Sequence, residues 1–156
     1  MARKKVLIVL GSPRKKGNSA ALAAQVIDLL ASHGVQPTLQ RQEIAQVLFA
    51  RDQHLSADDV LKLVNQESSR VSKATVYNTL GLFAEKGLIR EVIVDPSRVF
   101  YDPNTCEHHH FYNVDTGELM DIDADQLALM NLPTPPAGTV ADGVDVIIRI
   151  RNQSPT

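Results

Sequence analysis

Among its 156 residues the chain has a single cysteine, Cys106. One cysteine excludes an internal disulfide and any metal site built from several thiolates of one chain. A reducing cytoplasm is the expected compartment. Long apolar runs are missing as well. None approaches the roughly 18 residues a membrane-spanning helix needs, so an integral membrane protein is not expected. The run Val6-Leu7-Ile8-Val9-Leu10 behind Arg3-Lys4-Lys5 is too short for a secretion signal and ends in a charged Gly/Pro loop. Surplus positive charge is also lacking. Residues 1–105 carry 14 Lys and Arg against 10 Asp and Glu, and residues 106–156 carry 2 against 8, for a net charge of −2. The acidic second half is therefore no nucleic-acid face. Six of the 14 cations fall in the first 21 residues, so bulk charge is no argument for the first half either. Local placement has to carry that case.

What is present is an ordinary soluble core, with 44% hydrophobic residues in a length that suits one medium domain or two small ones. The first 21 residues stand apart. Lys5 to Leu10 reads as a buried strand. Gly11-Ser12-Pro13-Arg14-Lys15-Lys16-Gly17-Asn18-Ser19 then reads as a loop ahead of an alanine-rich helix. Strand, Gly-rich loop and helix N-terminus together can cradle a phosphate. These residues resemble the FMN-phosphate loop of flavodoxin-like flavin reductases, but only over about the first 25 residues. A doubly wound sheet needs several more βα units, and none follows in order. The segment is read as a leader or fusion-derived piece, a natural extension, or a working phosphate site.

Residues 22–103 read as four helices and a hairpin. Leu22 to Ser32 is helical, with Gly34 as its stop. Thr38 caps a second helix carrying Ile44, Val47 and Leu48. Ser56 caps a third, with Asp58 and Asp59 at its positive end, and Ser68-Ser69-Arg70 closes it. Ser72 opens a fourth that runs to about Lys86, where Gly87 stops it. Its Val76, Leu80 and Phe83 point to the core, while Lys73, Thr75, Asn78 and Thr79 lie largely on the other side with Tyr77 at the border. That face has donors, an aromatic hydroxyl and one cation but no acid, which suits a major groove. Alone, it suits a solvated helix equally well. Leu88 to Val94, the turn Asp95-Pro96-Ser97 and the return Arg98 to Tyr101 add a hairpin. A helix-turn-helix closed by a hairpin is a winged helix, and its tip offers Arg98 to a DNA backbone.

The second half reads as small and incomplete. Phe111 to Val114 and Glu118 to Ile122 flank a turn at Asp115-Thr116-Gly117, Asp123 to Leu132 is a short helix, and Val144 to Ile150 is a final strand. So few elements cannot bury an independent core, and pairing with a second copy is expected. Cys106-Glu107-His108-His109-His110 opens this half. On a strand, His108 and His110 point the same way and His109 the other.

Several ordered motifs now coincide. They are Gly34-Val-Gln-Pro-Thr-Leu-Gln-Arg41, His54-Leu-Ser-Ala-Asp-Asp, Val71-Ser-Lys-Ala-Thr-Val-Tyr-Asn-Thr-Leu80, Cys106-Glu-His-His-His-Phe-Tyr, Gly117-Glu-Leu-Met-Asp-Ile and Val144-Asp-Val-Ile-Ile-Arg-Ile-Arg151. Over residues 22–152 the chain resembles the ferric uptake regulator family, most of all its iron response regulator branch. The resemblance implies an α+β protein with an N-terminal winged-helix DNA-binding domain (22–103), a small α/β dimerisation and sensing domain (104–152) and a tail (153–156). It implies a homodimer on a palindromic double-stranded DNA operator, with Arg41, Ser72, Lys73, Thr75, Tyr77, Asn78 and Arg98 as DNA contacts. It implies a divalent metal (iron, manganese or zinc) held by His54, Asp95, His108 and His110, and a candidate second site at Glu107, His109 and Asp121 in which Asp145 stands where a late histidine is usual. The branch is associated with haem, for which Cys106 and His109 are the candidate ligands. Many members hold a structural zinc with Cys-x-x-Cys after the histidines. Here Asn113 and Thr116 occupy those positions, so that site is absent. The resulting reading is a cytoplasmic, non-enzymatic, metal- or haem-responsive transcription regulator, repressor or activator, in iron homeostasis. A manganese, zinc or peroxide sensor of the same family, or an FMN-dependent reductase fragment, is the alternative.

Overall fold

The computed structural model describes residues 18–66 and 71–155. The strand and phosphate loop expected before residue 18, and the Ser68-Ser69-Arg70 stop, lie outside the described residues. The chain divides into two units, one ending at Cys106 and the other beginning at Glu107.

In the first unit, helix α1 spans Asn18–Ser32. It therefore takes in residues 18–21, which the sequence reading left with the leader. Ala20, Ala21, Ala23 and Ala24 are strong helix formers, and they extend the helix toward its N-terminus. The stop is at Gly34, whose φ of 73° suits glycine, while the Val35 N–H reaches back to the Leu30 carbonyl at 2.9 Å. Helix α2 (Leu39–Leu48) begins at Thr38, whose side chain accepts from the Arg41 N–H. Helix α3 (Ala57–Val64) carries a full capping box, Ser56 and Asp59 each satisfying the other's backbone N–H. Helix α4 (Lys73–Glu85) starts at Ser72 and ends with Gly87 at φ 74° and a Leu88 N–H to Phe83 carbonyl bond of 2.9 Å. Asn65 ties the end of α3 to the start of α4. Its amide donates to the Val71 carbonyl at 2.7 Å, and its oxygen accepts from the Val71 N–H at 3.1 Å.

Val26 and Leu30, Ile44 and Leu48, Val60, and Val76, Leu80 and Phe83 pool one buried stripe from each of the four helices into a common core, closed by Leu88, Ile89 and Tyr101. Each fully buried side chain of this kind contributes about 1.5–3 kcal/mol. Thr79 corrects the sequence reading: it is buried, because it lies one turn from both Val76 and Phe83 and so falls on the core stripe. Strands β1 (Arg90–Asp95) and β2 (Arg98–Asp102) form the antiparallel wing, from Arg90 opposite Asp102 to Asp95 opposite Arg98, with an irregularity between Ile93 and Asp95.

In the second unit, β3 (His108–Asn113) is the middle strand of three. It pairs antiparallel with β4 (Leu119–Asp123) and parallel with β5 (Ile147–Ile150). The helix expected over Asp123 to Leu132 is not formed. Only a 3₁₀ turn, Ala124–Gln126, follows β4. Residues 127 to 146 contain no regular element, and Leu129, Met130, Leu132 and Val140 are exposed there. A helix with no core beneath its apolar side gains too little from propensity to form.

Candidate metal centre and nucleic-acid face

The pairing of β3 with β4 decides which histidines act together. His110 faces Asp121 directly, and His108, two residues earlier, shares that face of the sheet. His108 Nε2 and His110 Nε2 both lie 3.4 Å from Asp121 Oδ1, and the two rings meet edge-on at 4.5 Å. Two imidazole nitrogens at that distance from one carboxylate oxygen have the spacing of ligands sharing a cation. With bonds near 2.0–2.1 Å, tetrahedral ligands stand roughly 3.3 Å apart. Both imidazoles are buried, 3% and 1% exposed, so partners here are not optional.

His109 points to the opposite face. It is equally buried, and its Nδ1 accepts the Val146 N–H at 3.2 Å. The expected grouping of Glu107, His109 and Asp121 is therefore not brought together. Glu107 is exposed, Asp121 stands with His108 and His110, and Asp145 is exposed just before the residue that bonds His109.

The first unit contributes a second pair. His54 Nε2 lies 3.1 Å from Asp102 Oδ2, with the carboxylate buried and also accepting from the Asn104 N–H. Asp95, the expected partner of His54, lies at the far end of the hairpin. There it accepts from the Ser97 hydroxyl at 2.6 Å and the Ser97 N–H at 2.8 Å, and these bonds hold its carboxyl below the usual carboxylate range. Sequence reasoning missed Asp102, since only the pairing of β2 with the residue after His54 brings it near. Cys106 is half-buried. Its N–H donates to Asn104 Oδ1, and its carbonyl accepts from Arg90.

The expected DNA contacts divide by exposure. Tyr77 and Asn78 are exposed on α4, and Arg98 is exposed at the wing turn. Ser72 and Thr75 are engaged in the cap of α4, their hydroxyls 2.9 Å apart. Arg41 is half-buried and donates to the Gln36 carbonyl at 3.0 Å, which fixes the turn before α2. Lys73 Nζ lies 3.5 Å from Asp58 and 5.5 Å from the centre of the Tyr77 ring.

The model of the ferric uptake regulator family matches residues 32–132. A peroxide-responsive repressor, PerR, of Staphylococcus aureus is 32% identical over 98 residues, covering 63% of this chain and 66% of that protein, just under two thirds of its length. Two solved structures share the fold at 26% identity. The ferric uptake regulator from Pseudomonas aeruginosa with manganese superposes with a TM-score of 0.61 over 81% of this chain and 97% of that one. The ferric uptake regulator from Francisella tularensis with iron does so with a TM-score of 0.66 over 77% and 93%. No described helix is long and apolar enough to cross a membrane. With the family's pattern matched over residues 32–132, and with four helices, a wing and a three-stranded sheet in that order, the chain belongs to the ferric uptake regulator family.

Proposed function

We propose that this chain is a metal-responsive transcription regulator in iron homeostasis that binds palindromic double-stranded DNA as a homodimer. The observation that carries the reading is the meeting of His108 and His110 on one oxygen of Asp121 at ligand-to-ligand distance. Two imidazoles and a carboxylate suit Fe(II), Mn(II) or Zn(II). In the first unit, His54 with Asp102 supplies donors of the same chemistry. Relatives solved with manganese and with iron support a divalent metal of this kind. Support for DNA binding comes from α4, whose Tyr77 and Asn78 are exposed beside a capped N-terminus. The small sheet and the exposed Leu129, Met130 and Leu132 support pairing with a second copy.

The test is enrichment of duplexes from a random pool by the purified chain, with and without Fe(II), Mn(II) or Zn(II). Metal-dependent recovery of a palindrome is expected, lost in the His108→Ala, His110→Ala double variant. Equal recovery by the metal-free chain would sink the sensing role, and no enrichment would sink DNA recognition.

The similarity to a peroxide-responsive repressor supports a second reading, in which Fe(II) at this site lets peroxide oxidise a ligating histidine. Peroxide treatment of the Fe(II)-loaded chain would then add an oxygen atom to His54, His108 or His110. The Mn(II)-loaded chain would stay unmodified. Identical mass spectra for the two would remove this reading.

A further inference from the structure

We propose that Asp58, on the helix preceding the reading helix, is a positioning residue that withholds Lys73 from the DNA backbone and so sets the sequence-independent part of the chain's DNA affinity. The inference rests on the reading of α4 as the DNA-reading helix. Lys73 is the single cation between Lys73 and Glu85, so the electrostatic attraction of α4 itself for phosphate depends on it. Its ammonium is not directed freely into solvent. It sits 3.5 Å from an Asp58 carboxylate oxygen and 5.5 Å from the centre of the Tyr77 ring, so an acid and an aromatic face from two different helices hold it.

The placement has a cause in the turn. Asn65 clasps Val71 on both its backbone groups, which fixes where α4 starts relative to the end of α3. Asp58 stands in the first turn of α3 and Lys73 in the first turn of α4, and the two side chains meet at 3.5 Å. Asp58 is not needed for the local cap, because Ser56 and Asp59 form the capping box by themselves. Both partners are more than half exposed, so the pair adds little to folding stability. An exposed pair that contributes little to stability but occupies the one cation of the reading helix acts chiefly on binding. To neutralise a phosphate, Lys73 must first leave Asp58.

The experiment measures binding of the metal-loaded full chain to a mixed-sequence duplex and to a duplex enriched by the wild-type chain, over a range of salt concentrations, for Asp58→Asn, Lys73→Gln and the double variant. Asp58→Asn should tighten mixed-sequence binding by about two- to fivefold, the scale of one exposed ion pair. The slope of log affinity on log salt should steepen by up to about 0.9, one added phosphate contact. In the Lys73→Gln background, Asp58→Asn should have little effect on either quantity. That last arm separates action through Lys73 from general repulsion by an acid, which would persist in both backgrounds. A tightening of equal size with and without Lys73, or unchanged affinity and slope in Asp58→Asn, would overturn the proposal while leaving DNA recognition standing. No duplex binding by the metal-loaded wild-type chain would overturn both. Matching thermal unfolding of Asp58→Asn and the wild-type chain checks that the fold is retained.

Discussion

Leu55 and Tyr101 exchange two backbone hydrogen bonds, Tyr101 N–H to the Leu55 carbonyl at 2.7 Å and Leu55 N–H to the Tyr101 carbonyl at 3.3 Å. This isolated bridge pins Leu55, just ahead of the Ser56 cap of α3, to the end of the wing, and the flanking neighbours of the pair, His54 and Asp102, come to lie 3.1 Å apart. Asp95 sits at the other end of the hairpin, where the strands turn. The prediction is a contrast between two acids. Asp102→Asn should weaken divalent-metal binding about 10- to 100-fold, the range seen when a carboxylate that ligates or orients a histidine is lost. Asp95→Asn should leave it unchanged. Competition with a chromophoric chelator at fixed pH measures both, and the reverse ranking would return the ligand role to Asp95.

The same bridge shows what could and could not be read from the chain. Helix starts at Thr38, Ser56 and Ser72 were legible because a side-chain cap acts within three residues, and the capping residue is itself the signal. The alternation of His108 and His110 was legible from strand periodicity alone. The grouping of the acids was not: from sequence, Asp121 falls with Glu107 and His109, and Asp102 is not singled out at all. Asp121 depends on the β3–β4 register and Asp102 on a bridge spanning 46 residues of sequence, and neither leaves a local trace. The absent helix after Asp123 failed for a related reason. Its apolar spacing promised a face, but a face forms a helix only where something covers it. Thr79 looked polar and therefore outward, yet its place on the helix puts it in the core, and composition gave way to geometry.

Asn65 should be worth more than its half-buried position suggests. It makes two hydrogen bonds to one residue across the turn, each contributing about 0.5–1.5 kcal/mol net. Asn65→Ala is expected to cost about 1–3 kcal/mol in urea unfolding with an unchanged m-value. Asn65→Asp keeps the acceptor for the Val71 N–H but loses the donor to its carbonyl, so it should fall between the two. An Asp variant as unstable as the Ala variant would show that the pair acts only as a unit.

Tyr101 gives the fold a weakness at high pH. Burial, reinforced by the nearby Glu91 carboxylate and Tyr77, raises its phenol above the usual value of 10.0. The folded state thus holds this proton more tightly than the unfolded chain. The stabilisation is complete below about pH 10, and it is lost as pH rises from there through the raised folded-state value. Tyr101→Phe cannot ionise, so the loss of stability above pH 10 should be shallower than in the wild-type chain, with little change near pH 7. Denaturant titrations at several pH values check this. Parallel pH profiles for the two proteins would mean that Tyr101 ionises as easily folded as unfolded.

Asn113 stands where many family members have the first cysteine of a structural zinc site, and hydrogen bonds meet at it instead. Its side-chain oxygen accepts from the Asp115 N–H at 3.0 Å and the Thr116 N–H at 3.3 Å, and its amide donates to Asn152 at 2.8 Å. Asp115 in turn accepts from the Asn152 N–H at 2.9 Å. The β3–β4 turn and the residues after β5 are thereby laced together by polar groups alone. Asn113→Ala should cost about 1–3 kcal/mol, because a buried side chain with three partners is removed. The loss should also be local. Amide exchange should speed up at Val114, which bonds the Ile150 carbonyl, and at Asn152, while His110, bonded to the Val146 carbonyl at the opposite end of the β3–β5 pair, keeps its protection. Faster exchange at His110 as well would mean that β5 detaches as a whole and that Asn113 holds the entire strand. Unchanged exchange at Val114 and Asn152 would remove Asn113 as the group that ties this end of the sheet.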